Sequence, residues 1–204
     1  MATGRQAASG RDGSKTTERG GTRSRRRPLT LAVGAVVVAA LAATALVAHP
    51  ATTTALACGP GAKTGVLAGQ CAPNFTLADS QGRQVSLSSL RGHPVLLHFW
   101  GIPCTTCRAE YPDFSRSVRD YAPRGVDVLM VDAWHDSAPL LHDWQASHRL
   151  PARVLVDVPL AAAVLYGVNS TPTNVFVDRA GRIAYAVSSP LTSTQYARQF
   201  KAIM

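Results

Sequence analysis

The chain has 204 residues, 46% of them apolar and 16% charged, with 21 Lys and Arg against 12 Asp and Glu for a formal net charge of +9. Such a balance excludes a chain disordered throughout. Eight basic and two acidic side chains in residues 1–28 place six of the nine positive charges there, so the remaining +3 leaves no basic stripe and excludes a nucleic-acid partner.

The basic residues Arg5, Arg11, Lys15, Arg19, Arg23 and Arg25 to Arg27 are spaced by Gly, Ser and Thr, which build no core, and predict a disordered tail over 1–28. Residues 29–48 form a charge-free run of Leu, Ala, Val, Gly and Thr, about twenty residues long and sufficient to cross a bilayer as a helix. The arginines immediately before it predict a cytoplasmic N-terminus, with the rest of the chain extracytoplasmic and tethered to the cell membrane. An uncleaved signal anchor is the expected form. Processed forms stay open, because Ala55-Leu56-Ala57 has the pattern of a signal peptidase site, Cys58 follows it where a lipid anchor would go, and Ser24 to Leu29 is a loose twin-arginine match. All of them put the cysteines in the same oxidising space. Residues 49–71 then read as a linker and 72–204 as one domain of ordinary size. Cys58 and Cys71, 13 apart, suit a structural disulfide closing the segment that enters the fold; a free or lipidated Cys58 beside a lone Cys71 is the alternative, since spacing does not set the Cα separation.

Within the domain, Asn74 to Leu77 and Gln84 to Leu87 are short extended runs joined by the turn Asp79-Ser80-Gln81-Gly82. Pro94 to Trp100 is an apolar run of buried-strand length. Thr105 to Tyr121 places Ala109, Phe114, Val118 and Tyr121 at helical spacings, with Pro112 expected to kink the helix. Strands follow at Val126 to Val131 and Val154 to Val156, helices at Leu140 to His148 and Leu160 to Tyr166, the latter stopped by Gly167. Thr173 to Asp178 and Ile183 to Ser188 flank the turn Asp178-Arg179-Ala180-Gly181, and Gln195 to Ile203 closes the chain as a helix. Strands alternating with helices and ending in a hairpin and a helix predict an α/β fold, a central mixed sheet covered on both faces, in the order of thioredoxin.

Cys104-Thr105-Thr106-Cys107 stands directly behind the first long strand and opens the first long helix. That placement carries chemistry: helix N-terminal amides stabilise a thiolate, so Cys104 is predicted to have a lowered pKa and Cys107, one turn on, to close onto it. A zinc half-site or two core thiols is the competing reading. Zinc needs two more ligands in a compact knuckle, and no paired histidines flank Cys58 and Cys71, so no metal ligand is assigned.

Two blocks carry a family resemblance. They are His98-Phe99-Trp100-Gly101-Ile102-Pro103-Cys104-Thr105-Thr106-Cys107 with Arg108 to Pro112, and Tyr166-Gly167-Val168-Asn169-Ser170-Thr171-Pro172-Thr173 with Asn174 to Asp178 and Arg179 to Ile183. In them the chain, from about Ala72 to its end, resembles the TlpA/ResA-like group of membrane-anchored or exported thiol-disulfide oxidoreductases in the thioredoxin superfamily. The resemblance implies a cis bond before Pro172 on a loop facing the cysteines, with Thr171 and Pro172 binding an extended substrate; a plain turn proline is the alternative. It implies Cys104 as attacking thiol and Cys107 as resolving thiol. Pro103 and Thr106 depart from the group's usual Trp and Pro, which removes a flat apolar rim beside the sulfur and predicts an altered potential and partner choice. Glu110 fits the group's acidic position, either in proton transfer or in pairing with Arg108. His98 stands where thioredoxins carry a buried acid; near its ordinary pKa of about 6.5 it would accept the Cys107 proton, the alternative being a plain half-buried strand histidine.

The function expected is protein disulfide exchange without a bound cofactor. Its partners would be protein thiol or disulfide substrates and an upstream membrane electron donor or acceptor. In the group, members often reduce specific clients such as the haem-attachment cysteines of apocytochromes, others oxidise, and the direction here stays open. Two competing functions are a thiol peroxidase, which needs a hydroxyl residue three before its reactive cysteine, where this chain has Gly101 for Cys104 and Cys104 for Cys107, and a Cu(I) chaperone, for which His135 and His142 are loose candidate ligands.

Overall fold

In a computed structural model that describes Cys58, Gly59 and residues 61–204, β3 (Val95–Trp100) is the axis of the molecule, all six of its residues buried. Parallel β4 (Asp127–Asp132) lies on one side in the register Val95 to Asp127 through Trp100 to Asp132, and antiparallel β6 (Thr173–Val177) on the other, with His98 opposite Asn174. The strands β5 (Arg153–Leu155) and β7 (Ile183–Val187) complete the five-stranded order β5-β4-β3-β6-β7, in which β6 runs opposite to the other four. A separate hairpin, β1 (Thr76–Ala78) and β2 (Gln84–Ser86), precedes it.

Because neighbouring strand residues point to opposite faces, β3 feeds two apolar layers. Leu96 and Trp100 face the layer that holds α1 (Thr105–Tyr121), α2 (Ala138–His148) and α4 (Ser193–Ile203), through Phe114, Leu141 and Phe200. Val95, Leu97 and Phe99 face the hairpin and α3 (Ala161–Leu165), through Val85, Ala162 and Tyr166. The mixed sheet covered on both faces is as expected. The basic tail and the apolar segment 29–48 lie outside the described residues, among which no helix is long and apolar enough to cross a membrane.

Local chemistry moves some boundaries. Helix α1 continues on both sides of Pro112, which forfeits only one N–H of the ladder. Its inner face is set by Cys107, Glu110, Phe114, Val118 and Tyr121, steps of three and four, so Glu110 takes the buried position and Ala109 faces outward, contrary to the spacing expected. Leu160, expected to start α3, instead precedes it in the left-handed region (φ 56°), because the buried Asp157 carboxylate caps the helix by accepting from the N–H groups of Ala161, Ala162 and Ala163 at 2.8–3.0 Å.

Cys58, Gly59 and residues 61–71, the described part of the segment 49–71 read as linker, pack along the β6–β7 turn. The Cys58 N–H donates to the Ala180 carbonyl (3.0 Å), the Ile183 N–H to that of Gln70 (2.9 Å), and the Arg91 guanidinium to that of Cys58. Cys58 and Cys71 are bonded, with Cα atoms 5.6 Å apart. This bridge lies at the end of β6 away from Cys104, beside Gly181. Replacing both cysteines by serine is expected to lower unfolding free energy by about 3 kcal/mol, the loop-closure value for about 15 residues. Urea denaturation of both forms checks this; equal midpoints would show the bridge adds nothing.

Candidate active site

Strand β3 ends at Trp100, and the turn Gly101-Ile102-Pro103, closed by the Cys104 N–H donating to the Gly101 carbonyl (3.2 Å), delivers Cys104 as the N-cap of α1. Here the cap is a sulfur. Cys104 Sγ accepts from the Cys107 backbone N–H at 3.0 Å and is bonded to Cys107 Sγ, the two Cα atoms 5.3 Å apart. Both residues are buried. One of the first-turn amides that a helix leaves unpaired is thus aimed at the sulfur, an arrangement that favours negative charge there once the bond opens.

The loop before β6 supplies the second donor. The Thr171–Pro172 bond is cis, and the Thr171 hydroxyl stands 3.3 Å from Cys104 Sγ, positioned to donate to it. Thr171 therefore reaches Cys104 from a loop 67 residues downstream. Beside Cys107, a hollow of about 390 Å³ opens between Trp100, Ile102, Tyr111, Trp144 and His148, with His98 at its base.

His98, Asn174, Tyr196 and Glu110 form one buried polar network between β3, β6, α4 and α1. His98 Nδ1 lies 2.9 Å from Asn174 Oδ1; the Tyr196 hydroxyl has two acceptors for its single proton, Glu110 Oε1 at 2.7 Å and Asn174 Oδ1 at 2.9 Å. Glu110 Oε1 also accepts from the Leu191 N–H at 2.6 Å, while its Oε2 has no hydrogen-bond partner among the described residues. Burial pushes the Glu110 carboxyl up, against the opposing pull of those donors. Glu110 does not pair with Arg108, the role offered as its alternative: its partners are Asn174 of β6, Leu191 ahead of α4 and Tyr196 within α4. His98 is fully buried and stacked on Phe114 with centroids 4.2 Å apart; burial pushes its pKa down to about 4, so near neutrality it is uncharged and a weaker base than its ordinary value suggested.

Two features escaped the sequence reading. Asn174 is a lone amide in the apolar run of β6, and a buried amide there requires partners from other elements. Trp134 follows β4 directly; its indole lies on Gly101 and donates to the Thr171 hydroxyl at 2.8 Å. A tryptophan just past the carboxyl end of a parallel strand, where ligands gather in open α/β sheets, was the available signal. Of the two loose metal candidates, His135 contacts the Val158 carbonyl (2.6 Å) and His142 the adjacent Asp143, and among the described residues no three His, Cys, Asp or Glu cluster as metal ligands.

The His98 environment predicts an acid limb in stability. The folded protein holds the ring neutral down to about pH 4, whereas the unfolded chain protonates it at about 6.5. Stability is therefore retained above 6.5 and falls between 6.5 and about 4, by on the order of 3 kcal/mol. Denaturant titrations across this range should show His98→Asn losing less than the native protein by about that amount; parallel curves would refute it. Asp132, pushed up to about 6 by burial, titrates in the same window with opposite sign and is common to both forms.

Comparison with known proteins agrees with this architecture. The family model described as AhpC/TSA matches residues 68–186. A protein named thiol-disulfide oxidoreductase ResA from Bacillus subtilis (strain 168) is 28% identical over 116 residues, 57% of this chain and 64% of its own length. The chain thus spans less than two thirds of that relative. Among solved structures, the exposed lipoprotein thioredoxin Etrx1 of Streptococcus pneumoniae strain TIGR4 superposes with a TM-score of 0.55 at 26% identity, over 64% of this chain and 99% of that one. A secreted thiol-disulfide isomerase from Corynebacterium glutamicum, at 23% identity and a TM-score of 0.56 over 65% of this chain and 86% of that one, shares the fold. With a thioredoxin-like sheet, a bonded cysteine pair at the first helix and a family match over more than half its length, this chain belongs to the AhpC/TSA family.

Proposed function

We propose that this protein is a redox enzyme of the thiol-disulfide oxidoreductase class, tethered to the membrane by residues 29–48 and acting outside the cytoplasm on protein thiols and disulfides. The observation that carries the reading is the bonded Cys104–Cys107 pair with two donors, the Cys107 N–H and the Thr171 hydroxyl, directed at Cys104. The names of its relatives support it.

In the reductive direction the Cys104 thiolate attacks a client disulfide, and the client's second sulfur leaves as a thiolate and takes up a proton. Cys107 then loses its proton and attacks Cys104 Sγ in the mixed disulfide. The client departs with two thiols, and the protein is left with the 104–107 bond. The reverse sequence oxidises a client dithiol. The Thr171-Pro172 loop holds the client segment beside the sulfur, and the hollow beside Cys107 accommodates an apolar side chain of it. Glu110, one helical turn beyond Cys107, receives the resolving proton through its unpartnered Oε2. The client class includes haem-attachment cysteines of an apocytochrome c, with a membrane electron donor restoring the dithiol.

Three measurements test this. In the full-length protein, reduced Cys107→Ser is expected to accumulate a mixed disulfide with a client that carries a disulfide, visible by mass spectrometry, and Cys104→Ser none; exchange by the Cys104→Ser/Cys107→Ser form at the native rate would end the reading. In intact cells a membrane-impermeant maleimide should label reduced Cys104; protection until lysis would place the domain inside. Resolution of the mixed disulfide should accelerate as pH rises through the raised Glu110 pKa and be slowed at least tenfold, with a flatter profile, in Glu110→Gln; an unchanged profile would remove Glu110 from the path.

A further inference from the structure

We infer that Trp134 is a positioning residue for the reactive sulfur: its indole N–H holds the Thr171 hydroxyl so that the hydroxyl's own hydrogen is presented to Cys104. The inference rests on Cys104 being the attacking sulfur.

The geometry is a chain of two hydrogen bonds. Trp134 Nε1 donates to Thr171 Oγ1 at 2.8 Å, and Thr171 Oγ1 donates to Cys104 Sγ at 3.3 Å. A threonine hydroxyl has one hydrogen and rotates to suit its partners. With a donor occupying one side of Oγ1, the hydrogen turns away from the indole and toward the sulfur. Polarised by the incoming N–H, it becomes a better donor. A sulfur that accepts such a bond gains most as a thiolate, so the chain favours the open, reduced pair.

Trp134 is held for this task. Its backbone N–H donates to Asp132 Oδ1 (3.1 Å), the Ala133 N–H before it donates to the Trp100 carbonyl (2.8 Å), and His135 after it adopts a left-handed backbone (φ 58°). Asp136 then returns to the cysteine turn by accepting from the Ile102 N–H at 2.8 Å. The loop is thereby pinned to the strand that delivers Cys104. Gly101 makes room for the ring: a Cβ there would lie 2.2 Å from Trp134 Cδ1. The flat rim that Pro103 removes from the position before Cys104 is restored in space by a side chain 30 residues downstream. The titratable and charged groups around the chain are Asp132 at the end of β4, His135 and Asp136 in the loop after it, His98 on β3, Arg108 and Glu110 on α1, and His148 across the hollow beside Cys107.

Trp134 is 46% exposed, so substitution there leaves the core intact. The full-length protein carrying Cys107→Ser is reduced, and alkylation of Cys104 by iodoacetamide is followed from pH 4 to 10. Trp134→Phe, which keeps a ring and loses the N–H, is expected to slow alkylation below the thiol pKa about fivefold, the size of one net hydrogen bond, and to move the midpoint upward by about 0.7 unit. In a Thr171→Val background the same substitution is expected to do nothing further. Gly101→Ala, which displaces the indole, should reproduce the slowing, and should be silent once Trp134 is already alanine. An unchanged midpoint in Trp134→Phe, an equal slowing with and without the Thr171 hydroxyl, or faster alkylation, which would make the ring a cover, would each overturn the inference. A native midpoint at or above the free-thiol value of about 8.5 would instead strike at the proposed role of Cys104 itself.

Discussion

A sulfur standing as the N-cap of a helix is the constraint from which the site follows. The first amides of α1 have no carbonyl beneath them, and the Cys107 N–H takes its acceptor from Cys104 Sγ. A serine or aspartate cap would satisfy the same amide, but sulfur adds redox chemistry, and it accepts more strongly as a thiolate than in the disulfide. For this to hold, β3 must stop at Trp100, the turn must close on Gly101, and α1 must begin at Thr105, so the central strand, buried along its whole length, fixes where the dithiol sits.

On the α1 face of the same strand the fold buries polar groups. His98 interrupts the apolar alternation between Leu96 and Trp100, directly across from Asn174 in the antiparallel register. Neither could be buried alone. Tyr196 from α4 and Glu110 from α1 close the network, and its three titratable members are driven by burial toward their uncharged forms, the histidine by a lowered pKa and the carboxyl and phenol by raised ones. A neutral network costs far less to bury than an ionised one. The unpaired Glu110 Oε2 is what a structure optimised for stability alone would remove, and its place one turn from Cys107 is the reason for giving it a chemical role.

Much of the fold was legible because local patterns carry it. The five apolar residues of β3, the hairpin turn at Asp178 to Gly181 and the C-terminal helix each depend on neighbours within a few positions; the first two formed where their patterns stood, and the helix starts at Ser193, two residues before the expected Gln195. Errors came where a distant partner overruled the local signal. Ala109 suited the inner face of α1 by hydrophobicity, but the phase set by Cys107 and Phe114 put Glu110 there, tolerated because Tyr196, 86 residues away, reaches it. His98 carried an ordinary histidine pKa into the argument, and only the surrounding layer, Phe114 above all, shows how completely water is excluded.

The sequence by itself determined the dithiol, its strand-then-helix setting and the alternation of strands and helices, since these are written in spacings shorter than a turn or a strand. Tertiary structure decided what surrounds the sulfur. Thr171 stands 67 residues from Cys104, and the indole that steadies its hydroxyl belongs to a third segment, at Trp134. No period or propensity links three such segments; they meet because β3 pairs with β4 on one edge and β6 on the other, which brings the loops at the ends of those strands to the same sulfur.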